Sequence, residues 1–529
     1  MKPRTILRIC VITAVVAVVA WQHFGGKRMR HAAAMPAVSR ALRAAGSSDS
    51  TLKPAPPRHW QLGRLSLVSC ELPHALSGAT TAAWCTDFDV AENPAQPGGR
   101  HIGLRLAVIR SDAVRPDPDI VAMLAGGPGE AATTDFADTA FYAGVLKHHD
   151  VLLLDQRGTG GSNALSCKKT AKAVRAQEAE SNALGPEEIR QRVAACLTEV
   201  QRTADPRYYT TTIAVDDLEK VRLALGAPRF DLVGASYGTR VAQQYLMRHP
   251  DGVRSVVLDS PVPNSLILPE GLAANLESAL RRDFADCVEV PACKQAYGDP
   301  MRTLYQLRDT LRAHPHEVTF RDPRTFQSVS RMLTAASLVS VVRIFAYEPE
   351  TAALLPLSID AAAHGDVAPL LGQERLLDAD LAADINGGMG MSVICSEDAG
   401  ELRDEPADTD TILGNILVEQ IKAQCDIWPH GAMPADFHAP LRSDKPVLIL
   451  SGARDPVTPP KYGEEIMRGL THARQLVLKG QGHAVFIRGC TPKLIEEFID
   501  DPEPKRLDAS CLDRLGATPA FVDFNGAAP

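Results

Sequence analysis

Asp231-Leu232-Val233-Gly234-Ala235-Ser236-Tyr237-Gly238-Thr239-Arg240 is the stretch that decides the fold. The apolar run Phe230 to Val233 reads as a buried strand, and Val241 onward (Val-Ala-Gln-Gln-Tyr-Leu-Met) reads as a helix. Gly-x-Ser-x-Gly lies between them. A strand that turns this sharply into a helix holds its middle residue in a strained backbone and lifts its hydroxyl into the open. The two glycines remove the Cβ atoms that would block the turn. The N-terminal amides of the new helix point at whatever the hydroxyl attacks. An ordinary Gly-rich turn is the competing reading. What separates the two is whether the rest of the chain supplies a base, an acid and an oxyanion site.

A serine is a weak nucleophile until a base takes its proton and a carboxylate orients that base. Downstream, Lys445-Pro-Val-Leu-Ile-Leu-Ser-Gly452 reads as a strand, and Asp455 follows in Gly452-Ala-Arg-Asp-Pro-Val-Thr-Pro459. A second short strand, Gln475-Leu-Val-Leu478, leads into Lys479-Gly-Gln-Gly482 and His483. Both candidates sit just past the carboxyl ends of strands, where open α/β sheets bind ligands. Asp-Pro is also a common turn opener, and the chain has 15 histidines, so the pair gains meaning from its order after Ser236. Upstream, Ile120-Val-Ala-Met-Leu124 runs into Ala125-Gly-Gly-Pro-Gly129. A backbone N–H of that turn and the N–H of Tyr237 are the expected oxyanion donors. Pro128 has no N–H, so Gly127 is preferred to it. The chemistry expected is acyl transfer, with Ser236 as nucleophile, His483 as base and Asp455 as its orienting acid.

These stretches together resemble the proline iminopeptidase and tripeptidyl aminopeptidase family of α/β-hydrolases, and most of all its secreted bacterial tripeptidyl-aminopeptidase-like branch. The resemblance is carried by Phe88-Asp-Val-Ala-Glu-Asn-Pro94, Gly126-Gly-Pro-Gly129, Asp155-Gln-Arg-Gly-Thr-Gly-Gly-Ser162, Thr211-Thr212 with Asp216-Asp-Leu218, the Ser236 turn, Gly452 to Asp455, and Gly482-His483 with Cys490 behind it. It extends over roughly residues 60 to 515. Two positions depart from the family pattern: Ala125 stands where His is usual, and Glu130 where a further Gly is common. Both lie beside the expected oxyanion site, so they bear on substrate preference.

The resemblance implies an α/β class, with a mostly parallel central sheet flanked by helices. A mainly helical lid is inserted between core strands six and seven. The expected organisation is a signal peptide or anchor over 1–34, a linker over 35–60, core over 61–264, lid over 265–440 and core again over 441–529. The pattern within 265–440 agrees, being mostly helical with no strand as clear as those outside it. In such aminopeptidases acidic lid side chains capture the substrate's free α-ammonium group. Met389 to Asp398 resembles that lid segment, which makes Glu397 the first candidate and Asp398 the second; Glu130, near the oxyanion turn, is the third. The plainer alternative for Glu397 and Asp398 is capping of a helix N-terminus. Asp155 and Arg157 are expected to brace their turn by a buried ion pair, with Asp216 or Asp217 as further partners. His148 and His149 read as surface or loop residues.

Net charge is −8 and aromatics are 5%, which gives no reason to expect nucleic-acid binding or a stacking platform. Lys2, Arg4 and Arg8 precede the apolar run Ile9 to Trp21, which is short for a membrane span of about 20 residues and suits a signal-peptide core. Ala32-Ala-Ala34 offers a cleavage site, but Lys27, Arg28 and Arg30 intervene, so an uncleaved anchor stays open as the only membrane contact. Of 11 cysteines, Cys10 lies in that segment. The other ten fall in neighbouring pairs: Cys70/Cys85, Cys167/Cys196, Cys287/Cys293, Cys395/Cys425 and Cys490/Cys511. In an exported chain an even count reads as disulfides, and neighbour pairing is one of many connectivities. No Cys-x-x-Cys or His-rich cluster suggests a metal, and no cofactor is expected. The expected partner is a short peptide with a free amino terminus, and the expected location is periplasmic or extracellular. A carboxylesterase on the same scaffold is the alternative, and a non-catalytic binding protein that kept the fold is a further one.

Overall fold

The computed structural model describes residues 57–74, 77–167, 185–384 and 387–527. The expected signal or anchor, and the linker up to residue 56, lie outside the described residues. The first strand, β1 (His59–Leu62), begins two residues inside the expected linker. β2 (Leu65–Pro73), β3 (Thr80–Ala91) and β4 (His101–Ile109) follow as an antiparallel meander. Then come β5 (Ile120–Leu124), β6 (Val151–Leu154), β7 (Phe230–Ala235) and β8 (Val253–Asp259). A hairpin of β9 (His316–Arg321) and β10 (Ser328–Leu333) stands apart from the main sheet. β11 (Val447–Gly452) and β12 (Ala473–Leu478) complete the main sheet, whose order is β1-β2-β3-β4-β6-β5-β7-β8-β11-β12. From β6 to β12 every neighbouring pair is parallel.

The central strands form where the sequence is continuously apolar, because a parallel sheet is covered on both faces. Alternate residues then feed two separate cores. Ile120, Ala122 and Leu124 of β5 join Leu232, Val256 and Val447 on one face, packed by Val215, Leu218, Val241 and Tyr245. Val121 and Met123 join Val233, Val257 and Leu448 on the other, packed by Leu494, Ile495 and Phe498 of the helix Thr491–Asp500. Burying each such side chain stabilises by about 1.5–3 kcal/mol. The helix Thr211–Leu225 under the first face is bounded by local signals: Thr210 caps its N-terminus through the Ile213 amide, and Gly226 ends it in the left-handed region (φ 72°).

Between β8 and β11, which are direct neighbours in the sheet, the chain makes a mainly helical insertion. The insertion has its own core, including Leu276, Leu280, Phe284, Leu304, Leu338, Val341 and Ile359. It also contains the β9–β10 hairpin, which the sequence pattern does not announce. That hairpin is mostly exposed and interrupted by charges, so it lacks the apolar run that marks the buried strands. Among the described residues no helix is long and apolar enough to cross a membrane.

Five disulfides join Cys70–Cys85, Cys167–Cys196, Cys287–Cys293, Cys395–Cys425 and Cys490–Cys511, which are the neighbour pairs expected. The last closes a loop of 21 residues immediately after the segment carrying His483. Closing a loop of that size contributes about 3 kcal/mol by restricting the unfolded chain. A Cys490→Ala/Cys511→Ala variant should therefore melt at lower temperature and lose activity before the rest of the fold opens. An unchanged melting curve would remove this role.

Candidate active site

Five adjacent strands, β5, β7, β8, β11 and β12, bring the candidate groups together at their carboxyl ends. After β7 the backbone of Ser236 takes φ 52° and ψ −121°, and the helix Tyr237–Arg248 starts at the next residue rather than at Val241. Non-glycine residues seldom hold such a conformation, and it persists only where the surroundings fix it. Here Ser236 N–H donates to the Asp259 carbonyl at 2.9 Å, and the Ser236 carbonyl accepts from Thr239 N–H at 2.9 Å. Both elbow glycines are required by close approach. A Cβ on Gly234 would meet the Gly238 carbonyl oxygen at 2.5 Å, and one on Gly238 would strike the Leu124 carbonyl of β5.

His483 and Asp455 form a buried pair, with Nδ1 2.8 Å from Oδ2. Asp455 Oδ1 accepts the amides of Val457 and Thr458 at 2.8 Å each, and Oδ2 also accepts the Thr458 hydroxyl at 2.9 Å. Burial alone would raise the Asp455 pKa, but the His483 charge and hydrogen bond, with those two amides, outweigh it and hold the carboxyl below its usual range. Burial likewise pulls His483 down, and Asp455, joined by the charges of Asp259 and Glu130, more than restores it, so its pKa lies above that of an ordinary histidine. The His483 amide donates to the Tyr347 carbonyl at 2.7 Å, and the two rings pack edge-on at 5.3 Å. Tyr347 belongs to the helical insertion, just past the helix Ala335–Phe345. The insertion therefore completes the histidine's surroundings.

On the oxyanion side, Gly127 takes φ 101° after β5. Among the described residues neither the Gly127 nor the Tyr237 N–H donates to a protein acceptor. Glu130 comes close to the nucleophile: the point where a Cβ on Gly126 would sit is 2.7 Å from Glu130 Oε2 and 3.4 Å from Ser236 Cβ. These two distances cap the Glu130 Oε2 to Ser236 Cβ separation at about 6 Å.

Glu397 and Asp398 are placed differently from expectation. Glu397 is buried at the end of the helix Gly387–Glu397, not at its N-terminus. Its Oε1 accepts the Thr211 amide at 2.6 Å and its Oε2 the Thr211 hydroxyl at 2.8 Å; that hydroxyl lies 2.6 Å from the Tyr237 hydroxyl. Burial pushes the Glu397 pKa up to about 8, so at neutral pH it is mostly uncharged and ill-suited to hold an ammonium. Asp398 is spent in a fully buried ion pair with Arg240 of the elbow helix, 3.0 Å apart. Both acids tie the insertion to the elbow.

Arg157 pairs with Asp217 at 2.7 Å rather than with Asp155, and donates to the Glu92 and Tyr208 carbonyls. Asp155 instead accepts from Thr133 N–H and hydroxyl and from the Gly161 amide. His148 is exposed, but His149 is buried and reaches Asp500 at 3.2 Å. Sequence reasoning also passed over Tyr347, for which no local signal exists, and Asp259. The latter does carry a signal, since Val-Val-Leu-Asp259 puts an acid at a strand end. Among the described residues no group of three or more His, Cys, Asp or Glu is arranged to hold a metal ion.

A serine held at a strand-to-helix elbow, with a histidine–carboxylate pair at the neighbouring strand ends, defines a serine hydrolase, and residues 121–489 match the family described as alpha/beta hydrolase fold. The chain belongs to that family. Over 453 residues it is 25% identical to serine protease Hip1 of Mycobacterium tuberculosis, covering 76% of this chain and 85% of that one. It is 29% identical over 189 residues to a tripeptidyl aminopeptidase of Streptomyces lividans, a match spanning only 34% of this chain and 35% of that protein. It is also 25% identical over 498 residues to carboxylesterase B of M. tuberculosis, covering 88% and 93%.

Proposed function

We propose that the protein is an exported serine aminopeptidase that hydrolyses short peptides with a free amino terminus through a Ser236–His483–Asp455 triad and an acyl-enzyme. His483 takes the Ser236 proton as Oγ attacks the scissile carbonyl. Asp455 holds the imidazole by Nδ1 and balances its charge. The Tyr237 and Gly127 amides receive the oxyanion. His483 then protonates the leaving amine, and water releases the acyl group. Export is supported by the basic-then-apolar amino end and by the five disulfides.

The observation that carries the amino-terminal preference is Glu130 beside Ser236. A carboxylate this close opposes an oxyanion; a unit charge at about 6 Å is worth about 3 kcal/mol at an effective dielectric of about 20. A substrate ammonium paired with Glu130 offsets that repulsion, whereas a blocked or neutral substrate brings no such charge. Glu130→Gln should therefore lower kcat/KM for a free-amine peptidyl-coumarin by about ten- to a hundred-fold, and leave its N-acetylated counterpart unchanged or faster. Equal losses on both would remove the amine-capture role.

The carboxylesterase reading is favoured by one finding, the near full-length similarity to carboxylesterase B. Turnover of a short-chain nitrophenyl ester with none of any free-amine peptide would establish it.

A further inference from the structure

Among the described residues only five non-glycine residues take positive φ, and three of them lie around the dipeptide Asp259-Ser260. They are Ser236 (52°), Ser260 (52°) and Ala484 (60°), and Asp259 ends β8. Backbone strain of this kind survives only where surrounding contacts impose it. The contacts are specific. The Asp259 carbonyl accepts the Ser236 amide, its Oδ1 accepts the Val485 amide at 3.0 Å, and the Ser260 hydroxyl accepts the Ala484 amide at 2.9 Å. One dipeptide thus holds both the nucleophile's backbone and the loop that begins at His483.

Asp259 is fully buried, and its Oδ2 has no hydrogen-bond partner. A buried carboxylate oxygen left unpaired is costly, and such groups call for an explanation. The Val485 amide on Oδ1, with the Phe486 amide also acting on the carboxyl, anchors the loop, and an asparagine keeps an oxygen acceptor there. The charged groups acting on Asp259 are His483 and Asp455; those acting on His483 are Asp455, Asp259 and Glu130, with Tyr347 packed on the ring and Arg343 beside its hydroxyl. Burial pushes the Asp259 pKa up to about 7, reinforced by the Asp455 charge and offset in part by His483 and the Val485 and Phe486 amides. It is therefore divided between its two forms near neutrality, and a positive charge on His483 favours the ionised one.

We propose that Asp259 is a second positioning carboxylate for His483, clamping the loop that carries the base and adding negative charge beside the imidazolium that forms when Ser236 is deprotonated. The proposal rests on the reading of His483 as general base. The proton itself moves from Ser236 Oγ to the imidazole and on to the leaving amine; Asp259 stays off that path.

The test uses Asp259→Asn in the full chain, assayed on one ester and one free-amine peptide across pH. Asparagine keeps an acceptor for Val485 and removes the charge. We expect the acidic limb of kcat/KM to move down by about half a unit or more. We also expect kcat to fall with KM unchanged, and a larger fractional loss when Asp455→Asn is already present. A pH profile superimposable on wild type, at equal kcat, would show that Asp259 is an anchor alone and overturn the proposal. Should Asp259→Asn not fold, NMR titration of His483 decides. The titration is read in Asp455→Asn/Glu130→Gln, with and without Asp259→Glu as the conservative change: an imidazole pKa still above the ordinary value supports Asp259 as the second carboxylate, and one at or below it that does not respond to Asp259→Glu refutes it. Full turnover by His483→Ala would instead overturn the underlying reading of the base.

Discussion

Ser236→Ala should abolish hydrolysis of peptide and ester substrates alike, lowering kcat by about 10⁶-fold, the scale on which nucleophile deletion acts in enzymes of this chemistry. The loss is absolute in kind because no other group takes over the elbow's position between β5 and β8. Its amide is tied to the Asp259 carbonyl, and the hydroxyl alone is removed. Alanine meets the same positive φ with the same Cβ, so the strain is already present in the wild-type chain. Stability should change by no more than about 0.5 kcal/mol. The variant should also cease to be labelled by a serine-reactive phosphonate. Retention of turnover in a correctly folded Ser236→Ala protein would remove the covalent mechanism. Inertness of the wild-type protein to the phosphonate would favour a binding role for the fold.

Asp455→Asn is expected to lower kcat by about 10³- to 10⁴-fold. Asp455 receives four donors: two amides, the Thr458 hydroxyl and His483 Nδ1. An asparagine can satisfy some of them only by presenting its NH₂ to another, which reverses the imidazole tautomer or breaks the pair. The pH dependence follows from the shifts. His483 must be neutral to accept the Ser236 proton, and its raised pKa places the acidic limb of kcat/KM above that of an ordinary histidine. Removing the Asp455 charge lowers that pKa, so the variant's limb moves toward acid while its plateau collapses. For stability the sign is separate. Asp455 has a depressed folded pKa, so the contribution of the pair is present above the ordinary aspartate value and fades as pH falls through the folded one. A variant with near wild-type kcat would require another carboxylate to orient His483, and the larger loss expected on adding Asp259→Asn measures how far Asp259 does so.

Much of this architecture is legible in the chain because its signals are local. β5 and β11 are short uncharged runs buried along their whole length, and β7 is apolar from its third residue and β8 from its fourth up to Asp259, as only a sheet covered on both faces requires. The Ser236 elbow is equally local, since its two glycines answer to contacts made within a few residues and with the adjoining strand. The order of nucleophile, acid and base follows from which strand ends carry them. Side-chain partners separated by a hundred residues or more obey no such rule. Thr211 meets Glu397 and Arg240 meets Asp398 because the insertion folds back on the elbow helix. The same return of the chain delivers Tyr347 to His483. The resemblance of Met389 to Asp398 to a lid segment of the family implied an ammonium site at Glu397 and Asp398, and burial gave both acids another task.

What the sequence by itself determined is therefore the class of the sheet, the elbow and which strand ends carry Ser236, Asp455 and His483. Each is dictated by hydrophobic continuity or by backbone conformations that only certain residues adopt. Only the tertiary structure decided which acids keep their charge. Burial penalises an ionised carboxylate unless a cation or amide donors compensate it. Those partners are supplied across the fold: His483 and two amides outweigh burial at Asp455, Arg240 offsets it only in part at Asp398, whose pKa burial still holds above its usual range, and Glu397 has a threonine, which leaves it largely neutral.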